Sequence, residues 1–376
     1  MRVESMTSPD PASATLTRFD GERFTTIGVV SAVVALFAFY GVYLARVLVP
    51  LPPELAMEEA ATAYDAILVA WRAIAGDSLL AMRALSLLFG ALAIMLTFRV
   101  GRRLTQDPVA AAFFTLAFVL FPPLVAAFSS ATPHALIVLL ALGALELILS
   151  APGQSLSAAI IPIGTAAVLG CIGVVMAPAE AVLMPVWLLW CGVLSGRWAF
   201  AFPALITTLV SALVSLWAGG QTNPIDPDLS AIGHDTLTTA LFMPYAMLIV
   251  ATLLSAIASF SPLVRQTIGR VRLTTVLLGP FIGTGVLLGC VALGWLSIGQ
   301  LVTAASTVLP FALFASWPLI VWVRRVMPQV RSLAAWIVFP VVMYSCFWVI
   351  LGPIDPGKYP YSHRQIVQPQ VPSGHS

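Results

Sequence analysis

Long apolar runs separated by charged or Gly/Pro-rich breaks repeat along the chain, at 27–49, 80–98, 108–128, 134–149, 158–176, 179–194, 200–218, 237–260, 273–296, 301–323 and 333–351. Each approaches the roughly 20 apolar residues that carry a helix across a bilayer. Three of them, at 134–149, 158–176 and 179–194, are short, and their boundaries are the least defined. The pattern predicts an all-α, polytopic integral membrane domain over 27–352 with about eleven transmembrane helices.

One stretch between runs has its own period. After Pro52 and Pro53, which suit a helix start, Tyr64, Ile67, Leu68, Trp71 and Ile74 recur at i, i+3, i+4, i+7. Glu54, Glu58, Asp65 and Arg72 form another stripe, and Gly76 closes the segment. This predicts a helix within 52–76 lying along the membrane interface, with its aromatic side in the headgroup zone.

Arginine placement orients the path. With the N-terminus inside, the inner segments hold Arg2, Arg18, Arg23, Arg99, Arg102, Arg103, Arg197, Arg265, Arg270, Arg272, Arg324, Arg325 and Arg331, against Arg46, Arg72, Arg83, Lys358 and Arg364 outside. That is the positive-inside pattern, and one span more or fewer breaks it. The expected topology is N-terminus cytoplasmic and C-terminus outside. Residues 1–26 are expected to be a disordered inner tail, 27–49 a retained anchor, 219–236 an outer loop and 353–376 a flexible outer tail. Most carboxylates fall outside: Glu54, Glu58, Glu59, Asp65, Asp77, Glu180, Asp226, Asp228, Asp235 and Asp355. Polar chemistry is therefore expected on the outer face.

Composition excludes other classes. Charged residues are 9% and hydrophobic residues 60% of 376, and the mean hydropathy is +0.98. Soluble domains carry about 25% charge. A net charge of +2 and a single lysine leave no basic patch for a nucleic-acid backbone. Cys171, Cys191, Cys290 and Cys346 lie in apolar runs without a CxxC and read as small buried hydrophobes.

Few polar residues remain as candidates for chemistry. Glu58, Glu59 and Asp65 read either as a solvated helix face or as a base above a membrane-embedded site. Arg46, Arg72 and Arg83 can offer forked donors to an anionic phosphate, Arg46 reading more simply as a snorkelling end residue. Glu146 lies inside an apolar run, where charge is functional by default, yet within a turn of the inner boundary. Glu180 stands at an outer turn. Asp226 and Asp228 are of the type that holds Mg²⁺ or Mn²⁺, although a Pro-rich acidic loop explains them as well; no other cofactor is indicated. His134, His234, His363 and His375 lack metal-ligand spacing.

The stretch AGDSLLAMRALSLLFGALAIMLTFRVGRRL, followed by FSSATPHALIVLLALGALEL and later AAVLGCIGVVMAPAEAVLMPVWLLW, resembles GT-C membrane glycosyltransferases. These are of the dolichyl-phosphate-mannose mannosyltransferase type, nearest the bacterial aminoarabinose transferases of lipid A. Gly76, Asp77, Ser78, Arg83, Ser86 and Gly90 carry the match, with Gly101–Leu104 as its basic end, over roughly residues 76 to 218. The resemblance implies a GT-C fold in a bacterial inner membrane. It further implies a polyprenyl-phosphate-linked sugar donor and an acid in the first outer loop, here Glu59 with Glu58 beside it. The sequence also departs from the pattern. The family's acidic residue and Arg after the third span are replaced by Ser129, Ser130, Ala131, Thr132, Pro133 and His134, and the interval from Ala60 to Tyr64 is short. Three readings follow: a lipid-linked sugar transferase, an inactive GT-C-like subunit with a membrane-protein partner, or a transporter. Clear broken-helix pairs at matching positions of two halves are missing, which ranks the transporter last.

Overall fold

The computed structural model describes residues 63–106, 131–150, 156–176, 181–195, 202–218, 252–293 and 314–326 except 316, with single positions between 111 and 128. Among the described residues the regular elements are all helical. They are α1 (Ala63–Ala75), α2 (Leu79–Thr105), α3 (His134–Ser150), α4 (Leu156–Met176), α5 (Met184–Ser195), α6 (Phe202–Ala218), α7 (Pro262–Ile268), α8 (Arg270–Ala292) and α9 (Trp317–Val326). Residues 252–258 are also helical.

Three stretches are long and apolar enough to cross a membrane: Leu80–Thr105 in α2, Ser157–Met176 in α4 and Arg272–Cys290 in α8. Helices α3, α5 and α6 are apolar but shorter. Helix α5 has 12 residues, which at 1.5 Å each is about 18 Å, less than the roughly 30 Å hydrocarbon core. Its start differs from expectation: residues 181–183 form a turn, and the helix begins only at Met184.

Helix α3 sits at the centre. It is apolar on every side and most of its residues are buried, as an all-round hydrophobic helix requires when protein surrounds it. It packs between α2 and α4 and also touches α5. Directions follow from the contacts. Arg99 and Arg103, near the end of α2, meet Glu146, near the end of α3, so these two helices run parallel. Of the intervening residues, Ala111 adjoins Gly101 and Phe128 adjoins Gly90. Helices α3 and α4 are antiparallel, with Gly143 against Leu169 and Gly173 against Leu140. Helices α4 and α5 also reverse, with Gly170 against Leu188 and Gly173 against Met184. From α3 to α5 successive described helices thus reverse direction.

Small residues permit this closeness. A Cβ at Gly170 would stand 2.6 Å from Thr207 Oγ1 and 2.7 Å from Leu188 Cδ1. The other fastener is aromatic. Trp187 Nε1 donates to the Ala141 carbonyl at 2.7 Å, and Trp190 Nε1 to the Thr275 carbonyl at 2.8 Å. Their rings stack at 5.0 Å, with Phe314 packed 6.2 and 6.1 Å from them. A buried indole needs such a partner for its N–H, so the pair ties α5 to α3 on one side and α8 on the other. Opposite faces expose apolar side chains, such as Phe202, Leu205, Leu209 and Leu213 on α6, a surface that suits lipid.

Helix α1 corrects one expectation. Its periodic stripe is present, but Tyr64 is fully buried, and Ile67 and Leu68 pack on the hydrophobic core. Trp71 donates to the Ala81 carbonyl at 2.7 Å. The aromatic side therefore faces α2 rather than headgroups, and only Ile74, at 83% exposure, points away. Burial against protein satisfies the same amphipathic pattern and also supplies an acceptor for the indole.

Candidate functional site

The turn joining α1 to α2 is built by the three residues Gly76-Asp77-Ser78. Gly76 has φ +92°, a left-handed conformation natural to glycine, and its N–H closes α1 on the Arg72 carbonyl at 2.9 Å. Asp77 accepts from Arg72 Nε at 2.8 Å. Ser78 caps α2, its Oγ accepting from the Ala81 N–H at 3.1 Å. These residues fold α1 back along the first turns of α2.

The face of α2 beneath α1 carries Arg83, Ser86 and Gly90 at i, i+3, i+7. Arg83 is 2% exposed and Ser86 fully buried. Gly90 admits Phe128, since a Cβ there would stand 2.8 Å from the Phe128 ring. Tyr64 descends from α1 toward Ser86. The two hydroxyls face one another without completing a hydrogen bond, and both remain unpartnered. Burial pushes the Tyr64 phenol up to about 12, outweighing the opposite influence of Ser86, while nearby Asp65 adds to the rise. The phenol is thus neutral at physiological pH and can donate a proton in a hydrogen bond. Such buried unsatisfied hydroxyls are uncommon, and Ser86 shares its face of α2 with the buried Arg83.

The sequence candidates distribute unevenly. Arg83 is buried on the face of α2 beneath α1. Arg72 lies on the exposed turn, engaged with Asp77, so the two arginines occupy different environments. Asp65 is half-buried on α1 next to Tyr64. Glu58, Glu59, Glu180, Asp226, Asp228 and Arg46 lie outside the described residues. Glu146 is engaged through Oε1, which accepts from Arg103 Nε at 2.9 Å and lies 3.2 Å from Arg99 Nε in an ion pair, while its Oε2 is buried without a partner. His134 is buried, its Nδ1 3.0 Å from Thr132 Oγ1. Among the described residues no group of three or more His, Cys, Asp or Glu gathers to hold a metal. Cys171, Cys191 and Cys290 are free thiols, the last two buried; Cys346 lies outside the described residues.

Sequence reasoning did not single out Tyr64 and Ser86 as a hydroxyl pair. Tyr64 was legible only as one member of the apolar stripe. The available signal was its phenol, the single polar tip among Ile67, Leu68, Trp71 and Ile74 that carries a hydroxyl.

No family model matches the chain, and no curated protein or solved structure shows significant similarity to it. The likeness to GT-C transferases rests on the residues quoted for it, from Gly76 to about Ala218.

Proposed function

We propose that the chain is a GT-C-type membrane glycosyltransferase. In this reading eleven spans, with the N-terminus cytoplasmic in a bacterial inner membrane, carry an outer-face site. A sugar passes there from a polyprenyl-phosphate-linked donor to an acceptor. Glu59, with Glu58 beside it, serves as the base. Arg83 faces the lipid phosphate, with Arg72 at the rim.

The supporting observation is the burial of Arg83 with Ser86 and Tyr64 at the α1 end of the bundle. A guanidinium and a neutral phenol are both donors, and donors suit a phosphate or a developing oxyanion. Glu58 and Glu59 stand only six and five residues before Tyr64 in the chain, so the proposed base is close to the phenol in sequence. The test compares glycolipids of cells lacking the chain with cells complemented by the wild type, Glu59→Gln or Glu58→Gln. Loss of a glycosylated product on deletion, restored by wild type and not by the folded Glu59→Gln variant, supports the reading. Full restoration by both Gln variants removes these residues from the mechanism.

A second reading, an inactive subunit of a membrane complex, draws on one feature. Where the family carries an acid and an arginine, Ala131 and Thr132 are 5% and 1% exposed, and the Thr132 hydroxyl meets His134. An unchanged glycolipid profile on deletion, together with co-purification of another membrane protein, favours this alternative.

A further inference from the structure

The opposite end of α2 holds a second polar cluster that the proposed transfer does not use. Arg99 and Arg103 stand at i, i+4, where like charges repel. Glu146 of α3 resolves this by taking both Nε groups on one oxygen, at 3.2 and 2.9 Å. The carboxylate is 8% exposed, whereas the arginine side chains remain 64% and 38% exposed. Only the inner edge of each guanidinium is thereby engaged, and the Nη edges stay open. Arg102, between them, is exposed and makes no ion pair among the described residues. Three guanidiniums against one carboxylate leave a net positive cluster. It sits at the end of a helix long and apolar enough to span a membrane, and the ends of spanning helices are where side chains meet lipid headgroups.

We propose that Arg99, Arg102 and Arg103, two of them braced by Glu146, form a binding site for the phosphate of an anionic membrane lipid. Each basic residue near such a surface strengthens attraction to anionic headgroups, and arginine adds two-pronged donation to phosphate oxygens. Glu146 acts as a positioning residue: it fixes the forks rather than touching the lipid. This separates the proposal from simple charge attraction. Removing the negative charge of Glu146 would strengthen a purely electrostatic site but loosen a braced one.

The full chain, purified and reconstituted in phosphatidylcholine, is probed with spin-labelled phosphatidylglycerol against spin-labelled phosphatidylcholine, reading the motionally restricted fraction. A preference for phosphatidylglycerol is expected. Arg102→Gln, which leaves both ion pairs intact, should lower it roughly fivefold, the equivalent of one basic contact. Glu146→Gln should lower it as well. Millimolar inorganic phosphate should not compete, because the lipid is held at its interfacial depth. The proposal is overturned if Arg102→Gln keeps the full preference, if folded Glu146→Gln raises it, or if free phosphate abolishes it. Should Glu146→Gln fail to fold, the Arg102→Gln result decides.

Discussion

Near its first turns α2 buries Arg83 to 2% exposure beneath α1, on the face it shares with the unpartnered Ser86 hydroxyl. Near its last turns Arg99 and Arg103 stay open and share the carboxylate of Glu146. The same residue type thus serves two designs on one helix. Burial of a guanidinium is costly unless donors find acceptors, so the first end is arranged around a polar interior. The second end needs no such interior, because water or headgroups solvate the arginines while the buried carboxylate fixes their spacing. Disturbing α1 should therefore affect chemistry at one end, and disturbing α3 should affect anchoring at the other.

The largest expected difference concerns the phenol. Tyr64 titrates at about 12 when folded, against 10.0 ordinarily. Burial disfavours the ionised phenol in the folded state, so stability is level in this respect below pH 10 and falls as pH rises through 12. Two units correspond to about 2–3 kcal/mol. Alkaline difference absorbance should show a late-titrating tyrosine component that Tyr64→Phe diminishes by one residue, and the variant should lose less stability between pH 10 and 12. If the late phase is equally large in the variant, the burial of Tyr64 is misplaced.

Next comes the seam between the two ends. Gly90→Val drives a branched side chain into Phe128, an overpacking that costs about 1–3 kcal/mol. A lower melting temperature in detergent checks it; an unchanged value contradicts the close approach. Glu146→Gln should cost less, about 1–2 kcal/mol, since its arginines can turn to solvent. At neutral pH Tyr64→Phe should be neutral or stabilising by about 0.5–1 kcal/mol, because an unsatisfied hydroxyl leaves the interior. The smallest effect belongs to Arg72→Gln, whose exposed pair with Asp77 is worth about 0.5 kcal/mol or less.

The two ends were not equally legible in the sequence. Gly76, Asp77, Ser78, Arg83, Ser86 and Gly90 stood out as one stretch through the family resemblance, but that the last three share a face beneath α1 emerged only from the structure. The limits of α3, α4 and α6 were close to expectation because charged, Pro or Gly breaks bound those runs. The start of α5 was not, because the turn at residues 181–183 is built of apolar Ala181, Val182 and Leu183. Periodicity also found the stripe of α1 but not what covers it; amphipathicity looks alike against headgroups and against a neighbouring helix. The Glu146 pairs join residues 43 apart in the case of Arg103. Only the parallel register of α2 and α3 creates them, and no local pattern encodes that register.

The claim that the buried end of α2 is built for a lipid-linked phosphate is tested most directly by binding undecaprenyl phosphate. The full chain is reconstituted with excess phosphatidylglycerol, which saturates any general anionic-lipid site. Wild type and Arg102→Gln should bind equally. Folded Arg83→Gln should bind about tenfold more weakly, as loss of one charge-assisted contact implies, with Arg83→Lys intermediate. Equal binding by wild type and Arg83→Gln, or loss in Arg102→Gln alone, would contradict the division of labour between the two ends.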